Sequence, residues 1–266
     1  MGGYPCIIKP RVSAHGAKSD ITICEDEAEL KNAFDTYRER GYQEALIQKF
    51  INKDYEILSL GCISNKKGKY EILGGITYKI RELLESATAY GAIIAAYNNG
   101  YSEEEAKQTF EVLNLDSKLK LTPVTYLKIL EINDSVLTHL AEAGYNGFYD
   151  IEYLIQGDEV YMNELNFRHS GLGYVFANDD VNLPYYWACS VLGKPYSVKV
   201  TAAKYFMAEL VDMVFVKRRV ISIGQWLKDV KTVSYFAVYN KHDRRGSIQL
   251  ISQSFVGRLI RMIKER

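Results

Sequence analysis

Short apolar runs separated by polar turns make up most of the chain, and such runs predict strands. Tyr4 to Lys9 is the first. Pro10 closes it, the polar segment Arg11 to Asp20 follows, and Ile21 to Cys24 returns, which predicts a hairpin with a cationic tip. Ala45 to Ile51, Tyr55 to Ile63 and Tyr70 to Lys79 are further strands, the last two joined by the turn Asn65-Lys66-Lys67-Gly68-Lys69. Phe148 to Ile155 and Val160 to Arg168 form a hairpin about Gln156-Gly157-Asp158-Glu159. Helical spacing marks Glu25 to Arg40, where Ala28, Leu30, Ala33, Phe34 and Tyr37 are apolar and Gly41 is the stop, and Ile132 to Ala143, stopped by Gly144. Ala-rich Ser86 to Tyr97 fits strand or helix, Ser102 caps a helix through Leu113, and no period continues from Asn114 to Lys120. After Gly193, Val198 to Val216 and Val230 to Asn240 read as strands, Ile223 to Leu227 as a short helix and Ser254 to Arg266 as an amphipathic, cationic helix. Antiparallel strands with short turns and flanking helices predict an α+β architecture rather than a doubly wound parallel sheet. Neither a G-x-G-x-x-G nor a Walker loop is present.

At 266 residues and 47% hydrophobic content the chain can bury a full core as one large domain or two packed subdomains. No apolar run approaches the roughly 18 residues needed to span a bilayer, and the N-terminus lacks the charged and apolar regions of a signal peptide, so the expected location is the cytoplasm. Cys6, Cys24, Cys62 and Cys189 are scattered without C-x-x-C pairing, which predicts buried reduced thiols. Net charge is zero but unevenly spread: residues 217–266 hold 12 Lys/Arg against 3 Asp/Glu, and the first 216 hold 21 against 30. The basic end reads as a helix packed on the domain in preference to a membrane-surface contact, and nucleic-acid binding is disfavoured because no recognisable fold accompanies the basic residues.

The chemistry concentrates in Glu164-Leu165-Asn166-Phe167-Arg168. Strand alternation puts Glu164, Asn166 and Arg168 on one face, and the hairpin brings Asp150 beside them, with Glu152 on the same face as a substitute. Two carboxylates and an amide can hold Mg²⁺ against a polyphosphate, and a guanidinium beside them can neutralise charge that develops during phosphoryl transfer. Around Gly16, backbone amides can approach a phosphate closely, and Lys9 and Lys18 supply the opposing charge.

Taken in order, Ile7-Ile8-Lys9-Pro10, the Gly/Lys loop, Gln48-Lys49-Phe50-Ile51 with Glu56, then Asp150 and Glu164-x-Asn166-x-Arg168, the chain resembles the ATP-grasp superfamily. The resemblance implies two α+β subdomains whose antiparallel sheets clasp a nucleotide: residues 1–55 as part of the first subdomain with the adenine hinge, 56–192 as the second with the metal site, and 193–266 as a basic extension. It implies that Lys9, Gly16 and Lys18 contact ATP phosphates. Gln48, Lys49, Phe50 and Ile51 form the hinge that reads adenine, and Glu56 meets the ribose hydroxyls. Asp150, Glu164 and Asn166 bind Mg²⁺, with Mn²⁺ as an alternative, and Arg168 stabilises the acyl-phosphate and the tetrahedral species after it. The implied activity is an ATP-dependent carboxylate-amine or carboxylate-thiol ligase acting on small molecules, or a catalytic fragment of one. The alternative is a non-catalytic nucleotide-binding module. The superfamily carries a domain before the first strand, so a separate N-terminal domain or partner subunit is also implied. Asn166 to Gly171 together with Val181-Asn182-Leu183-Pro184-Tyr185-Tyr186-Trp187 is similar to D-aspartate ligases and carbamoyl-phosphate-synthetase-like proteins, which places His169 and Ser170 beside the acceptor.

Overall fold

The structure, a computed structural model, describes residues 3–11, 20–66, 69–83, 86–98, 120–177, 181–197 and 204–253. The chain divides into two compact units, residues 1–53 and 54–266.

In the first unit β1 (Cys6–Pro10) lies between β2 (Thr22–Cys24) and β3 (Ala45–Lys49), all antiparallel. Helix α1 (Glu27–Glu39) begins where Asp26 accepts the Glu29 N–H, capping one free donor of the first turn, and the Glu29 side chain reaches back to accept the Glu25 N–H just before the cap. Alternation turns Cys6, Ile8 and Cys24 toward Ala33 and Tyr37 of the helix. The other sheet face carries Ile7, Lys9, Ile23, Leu46 and Gln48, and Ile23 and Leu46 remain largely exposed there.

The second unit is one seven-stranded sheet covered on both faces. β4 (Tyr55–Lys66), β5 (Lys69–Leu83) and β6 (Ser86–Asn98) form an antiparallel meander. Helix α2 (Pro123–Glu142) leads into the hairpin β7 (Gly147–Gln156) and β8 (Glu159–Asn166). Then come α3 (Gly173–Ala177), α4 (Leu183–Leu192), β9 (Lys204–Met207), α5 (Glu209–Lys217), α6 (Ile223–Thr232) and β10 (Tyr235–Phe236). Residues 244–253 are again helical. The strand order is β10-β9-β6-β5-β4-β7-β8, antiparallel except for β9 and β10. The expected α+β class is observed.

Odd positions of β4 and β7 turn Ile57, Ile63, Tyr149, Ile151, Tyr153 and Ile155 toward Ile129, Leu130 and Leu137 of α2. On that face the buried Tyr153 hydroxyl donates to Asn133 Oδ1 at 2.7 Å. Even positions turn Leu58, Leu60 and Cys62 toward Phe176, Leu183 and Tyr186 of α3 and α4. This second apolar cover reaches only part of the face, and charged residues occupy the rest.

Three readings differ from the sequence expectation. Helix α2 starts at Pro123 rather than Ile132, because Thr122 caps it by accepting the Thr125 N–H. In the run Val198 to Val216, the described part is a strand only at Lys204–Met207 and then a helix. Glu209 is what breaks it: the carboxylate accepts the N–H groups of Ala237, Val238 and Tyr239, fixing a helix start at that position. Val230 to Asn240 is strand only at Tyr235–Phe236. The expected helices Ser102 to Leu113 and Ser254 to Arg266 lie outside the described residues. The four cysteines are buried and free of disulfides, as expected. Among the described residues no helix is long and apolar enough to cross a membrane.

One close approach is decisive for the sheet. Gly61 faces Gly74 across β4 and β5, and a Cβ on Gly61 would lie 2.1 Å from the Leu73 carbonyl oxygen, 2.5 Å from Tyr149 Oη and 2.7 Å from Gly74 Cα. Two of these are backbone atoms that cannot step aside. Gly61→Ala is expected to cost about 2 kcal/mol or more, a fall of roughly 5 °C in melting temperature; an unchanged thermal unfolding curve would contradict this register.

Candidate functional site

At the edge of the even face, the β7–β8 hairpin sets Asp150 opposite Asn166 and Glu152 opposite Glu164. Directly opposed residues on one face have Cβ atoms about 5 Å apart, so four oxygen-bearing side chains form two cross-strand pairs. The register shifts just beyond Glu152, where Tyr153 pairs with Met162 and Asn163 becomes the extra residue. Such bulges re-aim side chains; Asn163 Nδ2 donates to Glu152 Oε1 at 2.7 Å. Past the end of β8, the exposed Arg168 reaches back, its Nη1 3.4 Å from Asp150 Oδ2.

The sheet continues this charged strip inward. Lys79 of β5 faces Glu56 of β4 and forms an ion pair with it, and Lys79 Nζ also lies 3.8 Å from Glu152 Oε2. Glu56 is only 1% exposed. A carboxylate there keeps its charge only with a cation beside it, and Lys79 provides it.

Asp150 is the buried member of the cluster at 5% exposure, and its Oδ1 makes no hydrogen bond among the described residues. Burial pushes its pKa above the ordinary 3.8, with Ser170 and Arg168 opposing and Glu152 reinforcing the rise. An acid with a raised folded pKa holds its proton more tightly folded than unfolded, so stability falls as pH climbs from 3.8 through the raised value, and the penalty persists above it. Asp150→Asn removes that term. Without added cation the variant should melt no lower than wild type at neutral pH, and its melting temperature should vary less with pH across the acid range. A clearly lower melting temperature at neutral pH would show that the charge serves the fold instead.

In the first unit, Lys9 pairs with Leu46 and shares its sheet face with Ile7 and Gln48, which face each other. Lys49 sits opposite Cys6, and the ladder extends where the Phe50 N–H donates to the Pro5 carbonyl at 3.2 Å. Phe50 and Ile51 are half-buried. Gly16 and Lys18 lie outside the described residues. In the second unit His169, exposed to solvent as a whole residue, stands edge-on to Phe148 at 5.2 Å between ring centroids, which partly desolvates the ring and lowers its pKa, and Ser170 is buried, its hydroxyl accepting the Leu172 N–H.

No family model matches the chain. It is 25% identical over 175 residues to a formate-dependent phosphoribosylglycinamide formyltransferase of Nitratiruptor sp., covering 65% of this chain and 36% of that protein. It is 24% identical over 181 residues to a D-alanine–D-alanine ligase of Campylobacter lari, covering 68% of this chain and 45% of that protein. Among solved structures, the biotin carboxylase–β,γ-ATP complex of Campylobacter jejuni matches 76% of this chain and 41% of its own with a TM-score of 0.52 at 16% identity. The chain carries the ATP-grasp fold. It spans less than half the length of each of these proteins.

Within the ATP-grasp fold the donor set fits a hard divalent cation. Asp150, Glu164 and Asn166 offer only oxygens, as Mg²⁺ prefers, and Asp150 Oδ1 is a buried acceptor with its bonding capacity unspent. Among the described residues no three His, Cys, Asp or Glu side chains converge as a ready-made metal cage. Two carboxylates and an amide leave coordination positions for water and phosphate, the usual Mg²⁺ arrangement at a polyphosphate.

The sequence reading did not single out Lys79. Its position on the strand Tyr70 to Lys79 was legible, but the register that sets it against Glu56 and beside Glu152 joins strands that contact only in the folded sheet. Glu56, assigned by resemblance to ribose, is engaged by Lys79, so a ribose contact requires that pair to rearrange.

Proposed function

We propose that this chain is the nucleotide-binding and phosphoryl-transfer part of an ATP-dependent ligase that joins a small carboxylic acid to an amine, with a thiol as an alternative acceptor. The carrying observation is the opposed pairs Asp150–Asn166 and Glu152–Glu164, with Arg168 beside them and an unsatisfied buried oxygen on Asp150. Relatives named as a formate-dependent formyltransferase and an amino-acid ligase, and a structural neighbour solved with an ATP compound, support it.

In this reading the first unit supplies the half-open apolar sheet face for the nucleobase, main-chain groups of Gln48 to Ile51 for its edge, and Lys9 with the Gly16 to Lys18 loop for phosphate charge. The second unit supplies Asp150, Glu164 and Asn166 to hold Mg²⁺, which when bound neutralises the β- and γ-phosphate oxygens. A carboxylate oxygen of the substrate attacks the γ-phosphorus as the bond to the bridging β–γ oxygen breaks and ADP leaves. The amine then attacks the acyl carbon, phosphate departs, and the amine proton goes to solvent. Arg168, exposed and held among the described residues by one 3.4 Å contact, can turn its guanidinium to the charge that develops on the transferring group. The proposed location is the cytoplasm, where ATP is supplied. A separate N-terminal domain or subunit is proposed to complete the acceptor side near His169 and Ser170.

The test is ADP release across a panel of small acids and amines, using protein that includes any adjoining domain. Turnover should require an acid and an acceptor together. Arg168→Met should keep nucleotide affinity within a few-fold while turnover falls about 100-fold or more. Lost nucleotide binding in this variant would assign Arg168 to the ground state. Mg·ATP binding without turnover across the panel would favour the non-catalytic nucleotide-binding module.

A further inference from the structure

Helix α6 has two unlike sides. Its inner side is fixed: Asp229 is buried and takes Arg81 Nη1 at 2.5 Å, while Trp226 and Val230 are half-buried. Its outer side is open. Ile223 and Leu227, one turn apart, are 53% and 51% exposed, and Val220, just before the helix, is 60% exposed. Apolar side chains a turn apart stand together on a helix face, so Ile223 and Leu227 form an apolar ridge, with Val220 exposed in the turn before it.

Cations surround the ridge. Lys217, Arg218 and Arg219 precede Val220, and Lys228 and Lys231 flank Leu227 on the helix, all of them exposed. Asp229 is the only acidic residue between 217 and 231, and it points inward onto Arg81. The exposed charges of this corner are therefore all cationic. A monomer gains nothing from large aliphatic side chains in water among like charges. The same pattern matches the boundary of an anionic bilayer, where aliphatic side chains enter the acyl region and Lys and Arg meet lipid phosphates.

We propose that the α5–α6 corner, Lys217 to Lys231, is a docking surface for an anionic lipid membrane. Charge complementarity selects this occupant over a second copy, since two such corners would bring like charges together across a symmetric contact. The helix axis would lie in the membrane plane, held from below by the Asp229–Arg81 pair. Each cation at an anionic surface adds roughly five-fold to partitioning, so the effect fades with salt. This inference does not depend on the nucleotide reading.

Sedimentation of the full chain with vesicles of phosphatidylglycerol and phosphatidylcholine, against pure phosphatidylcholine, tests it. Wild type should bind the anionic vesicles, release them at high salt and ignore the neutral ones. Ile223→Glu/Leu227→Glu and, separately, Lys228→Glu/Lys231→Glu should each lose ten-fold or more, with unchanged far-ultraviolet circular dichroism. No binding by wild type, or equal binding by both variants, would overturn the proposal. So would concentration-dependent self-association that the first variant abolishes without any vesicle binding, which would give the ridge to a second copy.

Discussion

Glu164→Ala is expected to leave the empty protein at least as stable as wild type while weakening Mg·ATP binding by about two orders of magnitude. The stability half follows from the register. Glu164 stands directly opposite Glu152, and like charges opposed across strands repel by roughly 0.2–1 kcal/mol. Glu164 is also solvent-exposed, so its removal opens no cavity. A fold alone would not select two opposed carboxylates on an edge hairpin; a cation between them would. Melting curves without ligand and titration calorimetry with Mg·ATP check both halves. A destabilised empty protein, or a loss of adenosine affinity equal to that of Mg·ATP, would mark Glu164 as a structural residue.

The second large effect lies away from the site. Arg81 of β5 gives Asp212 two hydrogen bonds at 2.9 Å each, from Nε and Nη2, and gives Asp229 one at 2.5 Å, so a single guanidinium ties α5 and α6 to the sheet. Asp212 is fully buried, and its pKa is raised by burial against the opposing pull of Arg81. Arg81→Met would leave two carboxylates without their cation, a loss of about 3–5 kcal/mol and roughly 10 °C in melting temperature. The loss should depend on pH. Without the arginine Asp212 is driven further toward its protonated form, so the gap between variant and wild type widens as pH rises from the carboxylate range and narrows below it. Adding Asp212→Asn and Asp229→Asn should recover part of the loss, because the three side chains act as one network. Arg81→Met melting within about 2 °C of wild type would contradict this account of the C-terminal half.

Local signals were enough for the hairpin that holds the candidate site. Alternation through Phe148 to Arg168 with the Gly157 turn was enough to place Asp150 against Asn166, because a hairpin is set by neighbours in sequence. Helix α1 was legible from its apolar spacing and its glycine stop; Gly41 adopts φ 82° just after it. The start of α2 was also written locally, in Thr122-Pro123, but lay in a stretch without an apolar period. Other features were not local at all. Ser86 to Asn98 becomes a strand by pairing with β5 on one side and β9 on the other. The β-branched Val211, Val214 and Val216 favoured a strand reading, which tertiary partners of Glu209 and Asp212 override. Arg81 and its two aspartates are 131 and 148 residues apart in sequence, so nothing near any of them announces the cluster. At the level of the superfamily the resemblance read from the motifs agrees with the fold and with the relatives found.

The central claim is that Asp150, Glu164 and Asn166 hold the cation of Mg·ATP. Titration calorimetry of the wild-type chain with ATP, with and without Mg²⁺, tests it most directly. The account predicts one nucleotide per chain and affinity at least ten-fold tighter with Mg²⁺ than without. Binding that ignores Mg²⁺, or no binding in either case, would contradict it.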